Sequence, residues 1–454
     1  MSISTFFGLE TSLRGILAHQ QAIDTTGHNV ANANTEGYSR QSATMAASDP
    51  LLLAAGVGNG NVMAHIGSGV GVTAYERIRN GFLDLQYRAQ AMQVGYQEAN
   101  NQQLDQVEMG LAEPSDNGLS AQLNKFWSTW SDVANSPSDP AARQALIDQA
   151  NNLAAGFHDI DQQLTNVKSQ ATAQYSAITG SGGDVETIAT EISQLNGAIK
   201  AFVAGGDKPN DLLDRRDMLL DKLSKLAQVS VSDLGNGSID VSFGGTSTPL
   251  VADTTVNWPQ TLDSTSPPAG GQLGALLKIT DSAPPAASAG TIDQYRAQLN
   301  TVAKTLADAV NFFHNPGGTG TDFFTYGAAG TEAGTLSVNV TTAGVRTSST
   351  GAAGANDIAL QITGLRGGTA DDLYTAFVTK IGGDLKNSQT GATNANVLLS
   401  SIEDRRQSTS GVSLDEEMTN LVRFQRGYQA SARTMSAIDQ MLDTLINRTG
   451  AVGL

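Results

Sequence analysis

Five histidines, His19, His28, His65, His158 and His314, are the side chains of this chain best suited to metal ligation or proton transfer. No two stand four apart and no His-Glu-x-x-His run occurs, so their spacing supports no metal site. There is no cysteine, which removes thiolate ligands, thiol nucleophiles and disulfides. No Gly-x-Ser-x-Gly elbow is present to activate a serine. The run GSGVGV at 67–72 has the glycines of a phosphate loop but not its lysine, and reads as a turn. Two acidic groups, Asp371/Asp372 and Asp415/Glu416/Glu417, could in principle serve as acid–base carboxylates. The second opens the last long helix, where negative charge favours the helix dipole, and solvated dipole stabilisation is the reading taken. Phe126, Trp127 and Trp130 stand at helical spacing and read as core rather than as a sugar-binding platform. These patterns call for no enzyme chemistry, no metal and no cofactor.

The elements that would position such groups lead elsewhere. At roughly 150 residues per domain, 454 residues suit two to four domains. Lys+Arg 27 against Asp+Glu 44 leaves a net charge of −17. That balance argues against binding a phosphate backbone, so no nucleic-acid partner is expected. No apolar run reaches membrane-spanning length, so no membrane partner is expected either. The start MSISTFFGLETSLRG has no basic n-region, no apolar h-region and no small-residue cleavage site, which predicts export without a cleaved signal peptide. Absent cysteine suits a protein that crosses compartments unfolded. With 48 Gly and only 3 Trp, 9 Tyr and 13 Phe, turns are abundant and cores modest, which predicts an elongated molecule.

Residues 5–33 read as an amphipathic helix. Its three–four steps pick out Leu9, Leu13, Ile16, Ile23 and Val30, with Gln20 and Gly27 as breaks in the seam. Between 34 and 79, runs such as NVMAHI and GVGVTAYERI predict small hairpins. From 76 to 227 the pattern is mainly helical. Asp139 caps a helix that Pro140 opens, GSGG at 180–183 is a turn, and Asn210 caps a helix whose apolar face is Leu212, Leu213, Leu219, Leu220, Leu223 and Leu226. Strand signals dominate 228–289, with a hairpin around Asn236-Gly237. Within them, 261–290 reads mostly as loop, interrupted by GALLKI. A helix follows at 291–314, then Gly-rich extended chain to about 366, helices at 370–400 and a long helical segment at 401–448.

That last segment carries the strongest pattern. One register, Leu421, Phe424, Tyr428, Ser431, Met435, Ile438, Leu442 and Leu445, is apolar except at Ser431. A second begins at Leu414 and Met418 and shares Leu421, Tyr428, Met435 and Leu442 with the first. The resulting face is wider than a two-stranded seam needs, so the helix should bury itself against the N-terminal helix and against other copies of the chain. The predicted fold class is mainly α with β modules, elongated and multidomain. Residues 1–33 with 411–454 form a terminal helical assembly domain, its helices paired as a coiled-coil-like layer. Residues 34–227 with 290–410 form a mainly helical middle domain with hairpins, and 228–289 a small outer β domain.

Two stretches resemble known sequences. ANANTEGY, from Ala31 to Tyr38, places Ala31, Asn32, Thr35, Gly37 and Tyr38 in the A-N-x-x-T-x-G-[YF] order of the flagellar rod, hook and hook-associated axial proteins. Asn, Thr and Gly in that order suit the end of a helix and a tight turn. Residues 410–447, with 209–231 and 309–324, are similar to the hook-associated protein 1 family, whose members join hook and filament. The chain departs from larger members after DFFTYG, where most of an outer domain is missing. What the resemblance implies is a structural protein of the bacterial flagellum, self-assembling as a ring at the distal end of the hook. Its implied partners are copies of itself, the hook protein, the next hook-associated protein on the filament side, and an export chaperone covering the C-terminal helix. The implied location is extracellular, reached through the flagellar type III channel by a signal in an uncleaved N-terminus. A distal rod or hook subunit and, in another class, a secreted wall-glycan hydrolase stand as alternatives.

Overall fold

Caps and glycines cut the chain into its elements, and the computed structural model describes residues 6–53, 64–262, 270–280 and 290–448. Helix α1 (Phe7–Ala31) ends where the Asn32 side chain turns back to donate to the His28 carbonyl. Strands β1 (Gln41–Ala47), β2 (Leu51–Leu53), β3 (Ala64–Ile66) and β4 (Val70–Arg77) make a ribbon in which β1 pairs antiparallel with β4 and β2 with β3. Of the NVMAHI run, Asn61 to Met63 lie outside the described residues. The GSGVGV glycines lead into β4, a turn and strand with no helix behind them.

Five helices follow: α2 (Gly81–Leu111), α3 (Leu119–Asn135), α4 (Pro140–Thr179), α5 (Asp184–Ala204) and α6 (Asn210–Leu226). Asp139 caps α4 by accepting from the Ala141 N–H, with Pro140 at the first helical position. Asn210 does not cap α6. It is already helical behind Pro209, buried, and its amide donates to Gln41 and to the Tyr75 carbonyl, tying α6 to the ribbon.

A four-stranded antiparallel sheet comes next, β5 (Val229–Asp233), β6 (Ile239–Phe243), β7 (Val251–Ala252) and β8 (Thr255–Val256), in that spatial order. Its first hairpin pairs Asp233 with Ile239 and turns through the longer loop 234–238, with Gly235 and Gly237 at φ of 74° and 91°.

The chain returns through α7 (Gly271–Thr280), α8 (Thr291–His314), β9 (Phe324–Thr325), α9 (Glu332–Thr335), β10 (Ser337–Val338), α10 (Asp357–Thr363), α11 (Thr369–Ser410) and α12 (Leu414–Asp443). Three details differ from the sequence reading. GALLKI lies in α7, whose Leu273, Leu276 and Ile279 are buried in the same core as α2, α4, α6 and α8, so the expected β domain at 228–289 contains part of the helical body. Residues 357–363 form α10 where extended chain was expected, because Ile358, Ala359 and Ile362 fill the core beside α3 and α8. The 401–448 segment is two helices broken at Gly411.

The core is aromatic where α3 meets the Phe323-Phe324 pair. Phe126 lies 5.6 Å from Phe324 and Trp130 5.2 Å from Phe323, ring centre to ring centre, and all are buried. The Trp127 indole N–H donates to Asp371 at 3.1 Å, so that carboxylate serves the core and the start of α11. The whole chain exposes 23423 Å², against roughly 16,000 Å² for a compact protein of its mass. This is an open, multidomain molecule.

Gly95 marks a very close helix contact in the body. A Cβ there would lie 2.0 Å from the Lys225 carbonyl oxygen, where α2 crosses α6. Helix propensity alone would make Gly95→Ala stabilising by about 1 kcal/mol. We expect instead a net loss of about 1–3 kcal/mol as the two helices are forced apart, seen as a lower urea midpoint.

Candidate assembly interface

Helices α1 and α12 lie antiparallel along each other. Gly8 faces Ile438, Gly15 faces Ser431, and the His19 ring lies on Gly427, so each step along α1 is matched by an equal step back along α12. A Cβ at these glycines would come 2.9 Å from Ile438, 2.8 Å from Ser431 and 2.5 Å from the His19 ring. The helices touch through small residues, which brings the backbones close.

The face that α1 turns inward carries Ser12, Gly15, Ala18, Ala22, Thr26 and Asn29. It lies beside the stripe expected from sequence. Leu9, Ile16, Ile23 and Val30 are half-buried at its margin, and Leu13 is 43% exposed. Gly8, Ser12, Gly15, His19, Ala22, Thr26 and Asn29 follow the same three–four steps one residue earlier. Hydrophobicity picks the large side chains, while close approach picks the small ones next to them.

On α12, Leu421, Phe424, Met435, Ile438 and Leu442 are half-buried, with Phe424 at 6.4 Å from the His19 ring. Leu414, Met418, Tyr428 and Leu445 are exposed, Leu414 and Met418 by more than half. Val422 and Met441 are exposed too. One α1 helix therefore covers only part of the apolar face of α12. A groove between α1 and the ribbon, lined by Phe7, Leu9, Leu13, Ala47, Pro50 and Met435, is open as well.

The ANANTEGY turn ties this pair to the body. Ala31 is the last helical residue. The Asn32 carboxamide accepts from Thr35 Oγ1 at 3.2 Å, and Gly37, at φ of 78°, leaves room for Met218 at 3.2 Å from where its Cβ would be. The Tyr38 hydroxyl donates to Asn29 Oδ1 at 2.7 Å. Burial first, then Asp211, Asp214 and Glu417, push that hydroxyl well above the ordinary tyrosine range.

Arg40 follows. Its N–H donates to the Ser410 carbonyl at 2.9 Å, and its guanidinium donates to Glu416 at 2.6 Å and to Glu417 at 2.7 Å. Asn29 donates to Glu417 at 3.0 Å. Asp415 and Glu416 are exposed in the first turn of α12, as expected from sequence, but Glu417 is 1% exposed and is not solvated. The acidic opening of α12 holds one buried, fully paired carboxylate.

Below this lies an ionic cluster on α6. Arg77 donates to Asp214 at 2.8 Å and Asp217 at 2.9 Å. Arg79 binds Asp84 and Asp217, Arg88 binds Asp217 and Asp221, and Arg406 binds Asp221. The Ser39 N–H adds a bond to Asp214. Sequence reading named none of these groups. Their signal was present, since Asp214, Asp217 and Asp221 stand at three–four spacing among the leucines of α6. Acids that share a buried helix face need cations to meet them.

Burial raises the Asp217 pKa, but Arg79, Arg77 and Arg88 outweigh it and hold the carboxyl below its usual value. A depressed pKa contributes stability that is complete above the unfolded value of about 4 and is lost as pH falls through the folded value. Asp217→Asn should cost about 3–5 kcal/mol near neutrality by leaving three arginines short of a partner. The gap from the parent should narrow as urea titrations move from pH 7 towards pH 3.

Comparisons with known proteins match this layout. The family model described as the flagellar hook-associated protein FlgK helical domain matches residues 104–324. Models for the flagellar basal body rod FlgEFG protein C-terminal and for the flagella basal body rod protein match 405–448 and 9–38, the two ends that pair as α12 and α1. Flagellar hook-associated protein 1 of Bacillus subtilis (strain 168) is 30% identical over 508 residues, covering 99% of this chain and 99% of its own. The protein of that name from Escherichia coli (strain K12) is 25% identical over 566 residues, covering 97% and 99%. Since that alignment is longer than this chain, the E. coli protein carries segments with no counterpart here. The Salmonella typhimurium protein is 30% identical over 350 residues, 70% of this chain and 59% of its own length. A solved structure, the flagellar hook junction protein FlgK from Burkholderia pseudomallei, is 25% identical with a TM-score of 0.45, covering 54% of this chain and 47% of that one. With a relative so similar from end to end, this chain belongs to the flagellar hook-associated protein 1 family and is a structural component of the bacterial flagellum.

Proposed function

We propose that this chain joins the hook to the filament, and that it does so as a ring of identical subunits held together through their terminal helices. The observation that carries the reading is the uncovered apolar surface of the α1–α12 pair. Leu13 and Leu17 on α1, and Leu414, Met418, Val422, Tyr428 and Met441 on α12, are all exposed in the single chain. Large apolar side chains left exposed along both helices are surface suited to contacts with another protein. A head-to-tail contact between identical copies closes into a ring when its rotation allows. In this reading residues 1–33 with 411–454 are the assembly unit, 34–227 with 290–410 the supporting body, and the strands of 228–289 an outer module. The name of the relatives, hook-associated protein 1, supports the position at the hook.

The remaining partners follow from that position. The hook protein lies on one side, the next hook-associated protein on the other, and an export chaperone shields the α12 face before assembly. We place the chain outside the cell, in the flagellum, with a structural rather than an enzymatic role. Cells lacking the chain should show bare hooks under the electron microscope and release unassembled filament protein into the medium. Filaments of normal length would overturn the reading, and missing hooks would replace it with a rod or hook subunit. Met435→Asp puts a charge into the half-buried seam. It should abolish incorporation while the circular dichroism of the helical body is unchanged, and normal assembly of that variant would contradict the seam.

A further inference from the structure

The outward faces of α1 and α12 carry opposite charges that no other described residue neutralises. On α12, Val422, Arg426 and Arg433 stand four and seven residues apart, on the side turned away from α1, and all are exposed. Neither arginine has an ion-pair or hydrogen-bond partner among the described residues. No residue three or four positions from either one is acidic, so α12 itself supplies no partner. These cations are unusual in a chain of net charge −17, whose Arg40, Arg77, Arg79, Arg88 and Arg406 are all held by aspartates and glutamates, while Arg423 stacks on the Phe424 ring. On α1, Leu13, Leu17 and Asp24 show the same four-and-seven spacing on the side turned away from α12. Asp24 is exposed and has no cation partner among the described residues.

The shared register of the pair fixes the heights of these groups. With Gly8 opposite Ile438 and Gly15 opposite Ser431, Asp24 lies level with Val422, one helical turn from Arg426, and Leu13 lies level with Arg433. One turn is about 5.4 Å, within the reach of an arginine. Within one copy the two charges sit on opposite sides of the helix pair and cannot meet. Between two copies standing side by side at the same height they can.

We propose that the neighbour seated on the outer face of α12 is a second copy of this chain, and that Asp24 of one copy pairs with Arg426 of the next. The inference rests on the ring reading above and adds to it which faces meet and what selects them. Charge complementarity decides the occupant, since the basic face of α12 and the acidic face of α1 are presented at one level by the same molecule. The Arg433 stem then lies over Leu13 and covers part of its exposed surface. Such a contact is heterologous, which is the type that propagates around a ring.

Charge reversal tests this in cells that lack the native gene. Arg426→Glu and Asp24→Arg, each alone, should lower the fraction of hooks that bear filaments by about tenfold or more, through like charges facing each other. Together they should restore it to within about twofold. Purified variants should keep the parent circular dichroism, because both sites are exposed. In assembled flagella, Asp24→Cys with Arg426→Cys should be joined into a ladder of multimers by a short bifunctional thiol cross-linker that spans the reach of the arginine, against a chain that has no other cysteine. If the single reversals assemble normally, or if the double reversal fails to rescue, the pairing is wrong. In the second case the arginine face meets a different axial protein. If Met435→Asp also assembles normally, it is the terminal-helix reading itself that fails.

Discussion

Arg40 holds both ends of the chain at once. Its backbone N–H donates to Ser410, the last residue of α11, while its guanidinium closes on Glu416 and on the buried Glu417 at the start of α12. The chain passes between the terminal pair and the body through residues 32–40 and 411–413, and Arg40 bonds across both connections. Asn29 completes the knot from α1, donating to Glu417 and accepting from Tyr38 and from the Gln41 N–H. A buried carboxylate with these partners is stable, but losing Arg40 would leave its charge uncompensated and losing Asn29 would leave one of its oxygens without a hydrogen bond, so the arrangement admits little variation. The α6 aspartates and their arginines then brace the first residues of α2 and the last turns of α11. The direction in which α1 and α12 leave the body is thereby set by ions, while their contact with each other is set by small residues.

That division explains the exposed surface. Ionic pairing at the base fixes where α12 starts, and glycine contacts fix how closely α1 lies on it. Neither demand uses the large apolar side chains on the far faces. Leu13, Leu17, Leu414, Met418 and Val422 are left for another molecule, and their cost in a free monomer is the driving force for assembly. A free subunit should therefore have a well-packed body, built around Phe126, Trp130, Phe323 and Phe324, and a pair of terminal helices held far more weakly.

Much of this was legible in the sequence, and the gaps have physical causes. Helical period, Pro140 behind Asp139 and the alternation around Asn236 gave the body helices and the hairpin. The ANANTEGY turn carries the resemblance to the flagellar axial proteins, and the 410–447 and 209–231 stretches carry the narrower one to the hook-associated protein 1 family. The inward face of α1 was missed because hydrophobicity ranks leucine above glycine, whereas close packing of two helices reverses that order. Asn210 was misread because a cap-type residue beside a proline can serve tertiary contacts instead. By sequence Glu417 looks like solvated dipole charge because its partner Arg40 is distant along the chain, and pairings across that separation leave no local pattern.

Hydrogen exchange on the isolated chain and on assembled flagella tests the central claim most directly. If the terminal pair is completed only by neighbouring copies, amides of α1 and α12 should exchange quickly in the free subunit. They should become strongly protected on assembly, while α3, α4 and α8 are protected in both states. Equal protection of α1 and α12 in the free and assembled forms would mean that the pair is complete by itself, and the account would be wrong.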